Sequence, residues 1–201
     1  MEIQPLRDMW AHPIWFGHYD GDLTAAAERA EHLLTTSTSL SDQLERGGGL
    51  SSVTDSDMPH TWPEMQDLMT WMSRQAQTVW NNWSFQDVPR FVHMSWVNLH
   101  PPGAWTAEHD HGSVPLAMVI YLKKPENSGN LEVCNPMSYH WSGTPRTIEK
   151  DCNQALWREI PVTTGDIVMF PGWLLHKTGV NLSNENRIVM SMNVRLHGVQ
   201  M

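Results

Sequence analysis

Two histidines flank an aspartate in His109-Asp110-His111, and a third histidine, His176, and an arginine, Arg187, follow much later in the chain. Side chains two apart on a strand point the same way, so His109 and His111 can converge on one metal ion while Asp110 faces away. His176, from a distant strand, then completes a facial set of three imidazoles. Neutral imidazole suits iron, zinc, copper or nickel, and three ligands on one face leave positions open for a chelating second ligand, a substrate or dioxygen. On a strand, Arg187, Val189, Ser191 and Asn193 share a face, so the guanidinium and the Ser191 hydroxyl can hold one carboxylate between them. Closed structural metal sites usually carry four protein ligands, which argues against a purely structural ion.

These residues need a scaffold, and the pattern of the chain changes at Pro89. Before it, Leu23, Ala26, Ala27, Ala30, Leu33 and Leu34 recur at helical spacing, with Asp20 or Asp22 placed to cap the start. Thr35 to Thr61, rich in Ser, Thr and Gly, reads as a long surface connection rather than a lid. From Trp62-Pro63 a second helix carries Met65, Leu68, Met69, Met72, Ala76, Val79, Trp80 and Trp83 on one stripe, a core face rather than a cofactor box. After Pro89 come short β-rich runs at Arg90–His100, Leu116–Leu122, Asn130–Val133, Gln154–Pro161, Asp166–Phe170 and Arg187–Val194, separated by Gly, Pro and Asn. The expectation is a mainly β protein with N-terminal helices. Residues 1–88 form a helical support and 89–201 the core, as one domain. No helical pattern alternates with the strands, which disfavours a doubly wound parallel sheet.

The context of the histidines is specific. His109-Asp110-His111, then Leu116–Leu122, Gly129-Asn130-Leu131-Glu132-Val133, Asn135-Pro136, the Gly165–His176 run and Arg187–Asn193 resemble the phage and bacterial 2-oxoglutarate/Fe(II)-dependent oxygenases. The resemblance spans Trp96 to Leu196. It implies a double-stranded β-helix (jelly roll) core, shared with the cupins, in which His109, His111 and His176 hold Fe(II), and Arg187 with Ser191 and Tyr121 holds 2-oxoglutarate as cosubstrate. Asn98-Leu99-His100-Pro101-Pro102-Gly103 is similar to the strand before the metal in AlkB-type oxygenases, which makes Asn98 a cosubstrate ligand and His100 a weaker one. The implied reaction uses O2, decarboxylates 2-oxoglutarate to succinate and hydroxylates a C–H bond. The chain departs from the commonest triad of the family, which has a carboxylate where His111 stands. Asp110 is the second choice for that position. A cupin-type three-histidine dioxygenase or isomerase without 2-oxoglutarate is the alternative that does without Arg187, and a non-catalytic metal-binding β-helix is the other.

Composition narrows the partners. A net charge of -9 with a pI near 5.6, and no basic run longer than Lys123-Lys124, argues against nucleic acid. No apolar run approaches membrane-spanning length, so a soluble, cytoplasmic protein is expected. Cys134 and Cys152 read as reduced thiols. Trp105, Trp141 and Trp173 lie near the metal motifs as candidate walls of a pocket for a small-molecule or amino-acid substrate. A homodimer stays open.

Overall fold

Leu116–Lys123 reads LAMVIYLK, and seven of its eight residues are buried. A strand that is apolar at odd and even positions alike must be covered on both faces. The computed structural model describes residues 14–36, 47–138, 143, 145 and 155–196 and shows what covers it. In chain order the elements are β1 (Trp15–His18), α1 (Thr24–Thr36), β2 (Leu50–Ser51), α2 (Gln66–Asn82), β3 (Arg90–His100), β4 (Leu116–Lys123), β5 (Leu131–Cys134), β6 (Trp157–Ile160), β7 (Asp166–Phe170), β8 (His176–Thr178) and β9 (Arg187–Leu196).

The strands form a large antiparallel sheet in the order β1-β7-β4-β9-β3-β2 and a small one in the order β6-β5-β8. Together they make the jelly roll expected from the sequence. The alternation along each strand of the large sheet divides its side chains between two cores. Leu116, Met118, Ile120 and Leu122 of β4, Ile167 and Met169 of β7, and Ile188, Met190, Met192 and Val194 of β9 pack outward with Leu23, Ala30, Leu34, Met65, Leu68 and Met72. The methionine stripe of α2 is therefore core, as its spacing implied. Ala117, Val119, Tyr121, Val168, Phe170 and Val189 face the other way, into the space shared with Leu131 and Val133 of the small sheet. That inner space holds the site.

α1 begins where the sequence said, and α2 begins at Gln66, one turn later than the expected start at Trp62-Pro63. The Thr24 backbone N–H donates to Asp22 Oδ1 at 2.9 Å, satisfying one orphan donor of α1, and short 3₁₀ turns at Pro59–Thr61 and Pro63–Met65 lead into α2. The connection from Thr35 to Thr61 is only partly a loop. Residues 37–46 lie outside the described residues, but Leu50 and Ser51 pair with Leu99 and Asn98, and Gly48 bridges to Trp105. A strand of two residues is too short to show a period, so its sequence reads as coil. β1, of four residues, is also absent from the strands expected from the sequence; it closes the β7 edge of the sheet from before residue 89. Among the described residues no helix is long and apolar enough to cross a membrane.

One turn is packed too tightly for a side chain. Gly129 has φ +76°, and an added Cβ would run into the Gly179 carbonyl. Gly112 has a similar φ of +62° but open space around it. Gly112→Ala is expected to cost about 1 kcal/mol, the backbone penalty alone, and Gly129→Ala at least ~2 kcal/mol because the turn must also move. Urea denaturation of the two variants checks the order.

Candidate functional site

The segment before β4 runs antiparallel to β8 without being a regular strand. His109 N–H donates to the His176 carbonyl and His176 N–H to the His109 carbonyl, both at 2.9 Å. His111 N–H donates to the Gly172 carbonyl at 2.7 Å. This short ladder brings one nitrogen of each of His109, His111 and His176 within 4.8 Å of the others. Asp110 is exposed and outside the cluster, its Oδ1 accepting the Gly112 N–H at 2.8 Å.

Each ring has one edge committed. Nδ1 of His109 lies 2.9 Å from Ala107 O, Nδ1 of His176 2.7 Å from Leu174 O, and Nδ1 of His111 2.6 Å from Asn193 Oδ1. An oxygen acceptor at Nδ1 fixes the proton there and leaves the Nε2 lone pair for a metal. Burial also favours the neutral form that a ligand needs. Burial, and then the neighbouring His109, pushes His176 down to about 3, and burial lowers His111 against the opposing Asn193 bond.

The cavity beside these rings is lined by Asn98, His100, Thr106, Tyr121, Thr178 and Ser191, with Trp96, Phe170 and Val189 as its apolar walls. Asn98, Tyr121 and Ser191, singled out in the sequence, thus come together with the three histidines. Trp105 and Trp173 do not line it and are 39% and 44% exposed, whereas Trp96, its ring 5.6 Å from His111, does. Trp141 lies outside the described residues. Nearness in sequence does not put a ring in the cavity, but parity does: Trp96 shares the inner face of β3 with Asn98 and His100.

Arg187 is fully buried and does not itself line the cavity, but it is bonded to Thr178, which does. Its Nη1 donates to the carbonyls of Ser128, Gly129 and Gly179, and its Nη2 to Thr178 Oγ1 at 2.9 Å. Burial, opposed by Tyr121, lowers the guanidinium to about 10, which keeps it charged at neutral pH. Among the described residues no carboxylate lies within ion-pair distance, and its Nε–H has no partner. A buried cation compensated only by dipoles keeps a charge that an anion could balance.

Thr178 strengthens that reading. Its oxygen accepts from both the Thr106 N–H, at 2.9 Å, and Arg187 Nη2, which fills both lone pairs and leaves the hydroxyl proton to be donated. The sequence reading missed it, although the i, i+2 rule that joined His109 to His111 joins His176 to Thr178. Tyr121, 1% exposed, lines the same cavity and packs on its inner core. Arg187 Nε and the Thr178 O–H are thus unspent donors on neighbouring residues, and Thr178 and Tyr121 line the cavity. Elsewhere His18 and His60 are held to Asp166 and Ser95 at 2.7 Å, as structural histidines are.

A search of curated proteins finds no significant match. Among solved structures, the fold resembles a Pseudomonas putida prolyl-4-hydroxylase at 15% identity and TM-score 0.62, with 93% of this chain and 94% of that one covered. It also resembles HygX from Streptomyces hygroscopicus, solved with nickel, 2-oxoglutarate and hygromycin B, at 11% identity and TM-score 0.60, covering 93% and 84%. A third neighbour is SnoN, an alpha ketoglutarate dependent epimerase from nogalamycin biosynthesis, at 16% identity and TM-score 0.59, covering 92% and 78%. At these identities the likeness is one of fold. The family model described as "Putative 2OG-Fe(II) oxygenase" matches residues 94–193, the stretch from β3 through β9 that carries all three histidines and Arg187. Through that stretch the chain belongs to the 2-oxoglutarate/Fe(II) oxygenase family.

Proposed function

We propose that the protein is an Fe(II)- and 2-oxoglutarate-dependent dioxygenase that hydroxylates a C–H bond of a small molecule or an amino-acid residue. The observation that carries this reading is the pairing of two features in one site. Three imidazoles bring one ring nitrogen each to one point, and a buried guanidinium with no carboxylate in ion-pair distance among the described residues holds Thr178, which lines the same cavity. The residues present suit both groups: His109, His111 and His176 hold the metal, and Arg187 receives the distal carboxylate of 2-oxoglutarate. A three-histidine dioxygenase without a keto acid would leave that buried cation unexplained.

When bound, iron with 2-oxoglutarate and dioxygen supplies a two-electron oxidation, one oxygen atom leaving in succinate as CO2 is released and the other entering the substrate. The chain's own groups do the rest. Arg187 Nε, the Tyr121 hydroxyl and the Thr178 hydroxyl donate to the distal carboxylate, and charge-assisted bonds of this kind are the strong ones. Asn98 and Ser191 line the path between that anchor and the histidines. Trp96 and Phe170, packed on the imidazole rings, keep the centre apolar and exclude water.

Anaerobic addition of Fe(II) and 2-oxoglutarate to the metal-free protein should give the visible charge-transfer absorption of a ferrous keto-acid chelate. In air the same mixture should form succinate slowly without any substrate. Bound iron with neither signal would move the assignment to the three-histidine reading.

Arg187→Met should weaken 2-oxoglutarate binding roughly 100-fold, and Thr178→Val, which deletes the hydroxyl at constant shape, roughly tenfold, while both leave divalent-ion affinity within about threefold. Calorimetry with the ion alone and then with 2-oxoglutarate separates the two effects. Equal 2-oxoglutarate affinity in Arg187→Met would remove the anchor from this site.

Acid should destabilise the metal-free protein before it destabilises a variant lacking His176. The folded His176 titrates near 3 against an ordinary value of 6.5. Between those values the unfolded chain binds a proton that the fold refuses. Its contribution is therefore complete above pH 6.5 and is lost as pH falls, at about 1.4 kcal/mol per unit at most. The urea midpoint of His176→Gln should fall less than that of the parent between pH 7 and pH 5.

A further inference from the structure

The three histidines are not held by the same device. His109 and His176 each turn Nδ1 back to the carbonyl two residues earlier in their own segment, Ala107 and Leu174. For His111 the carbonyl two residues earlier is that of His109, and it is committed across the bridge to the His176 N–H at 2.9 Å. His111 therefore reaches out of its segment, and its Nδ1 meets Asn193 Oδ1 at 2.6 Å on β9. Two ligands are oriented by backbone that any sequence would supply. The third depends on one amide side chain.

We propose that Asn193 is a positioning residue of the metal site, fixing the tautomer and the ring orientation of His111 and so setting the affinity and geometry of the bound divalent ion. This rests on the reading of His109, His111 and His176 as metal ligands. A side-chain amide does not ionise near neutral pH, so its oxygen accepts the Nδ1 proton and keeps the Nε2 lone pair available. Without that acceptor the ring has no partner to stop its flipping, and a proton on Nε2 would remove it from the ligand set. Asn193 shares the inner face of β9 with Arg187. The strand that anchors the cosubstrate thereby also aims the one ligand that replaces a carboxylate, and a shift of β9 moves both.

The test uses the metal-free full chain titrated with Ni(II) and with Co(II), in the absence of 2-oxoglutarate, for Asn193→Leu, Asn193→Ala and Asn193→Asp. Asn193→Leu should lose roughly 10- to 100-fold in affinity for both ions. Its visible Co(II) spectrum should change, and its metal-free melting temperature should stay at the parent value. Asn193→Asp, which keeps an acceptor in place, should restore affinity to the parent level or above. Asn193→Ala, which only removes atoms, carries the comparison if Asn193→Leu does not fold. Parent-like affinity and an unchanged Co(II) spectrum in the Leu or Ala variant would overturn the proposal, as would an equal loss in all three that tracks melting temperature. If the parent chain binds neither ion, the metal reading falls and this one with it. Binding by the parent and the Leu variant alike removes only the role of Asn193.

Discussion

Two backbone hydrogen bonds exchanged between His109 and His176 are the constraint on which the site depends. They join a loop to the short strand β8, and the contacts on either side continue the pairing. Thr178 N–H donates to the Thr106 carbonyl at 3.2 Å, and Gly172 N–H to the Val114 carbonyl at 3.0 Å. One ladder therefore positions all three histidines and the Thr178 hydroxyl. Because the bonds run between main chains, most side-chain changes leave them intact, and the side chains can be given to chemistry. Anything that slips this pairing by one residue turns both ligand faces away from the cavity at once.

On the proposed reading of the three histidines and Arg187, the charges in the pocket add up to a receptor for a dianion. Three neutral imidazoles bring no negative charge, in contrast to a triad with a carboxylate, so a divalent ion there keeps its full charge. With Arg187 behind it the empty cavity would be strongly positive. A dicarboxylate bound across the metal and the guanidinium balances most of that. The exchange of a carboxylate for His111 thus raises the site's demand for an anionic ligand.

Much of this was legible in the sequence because the strands are long and obey parity. Arg90–His100 and Asp166–Phe170 are found with the bounds the pattern predicts, and the sharing of a face by Arg187, Val189, Ser191 and Asn193 follows from the period of two. The convergence of His109, His111 and His176 was legible through the same rule. What was not legible depends on pairing across distance. Leu50–Ser51 is a strand only because Leu99 and Asn98 offer it an edge. Trp96 lines the cavity while the nearer-seeming Trp105 and Trp173 do not. The bond from His111 to Asn193 joins residues that no local period connects.

The strand order β1-β7-β4-β9-β3-β2 also constrains how the chain reaches this state. Among the described strands, only β2 and β3 are neighbours both in sequence and in the large sheet. β9, the last strand, lies between β3 and β4 and pairs with both, and β1, the first, waits for β7. On a ribosome the sheet has no centre until β9 has emerged, so its assembly waits for the strand made after all its neighbours and has long loops to close. Such a topology folds slowly. Until β9 arrives, the apolar faces of β3 and β4 have no sheet partner between them, and the growing chain must be kept from pairing them with other chains.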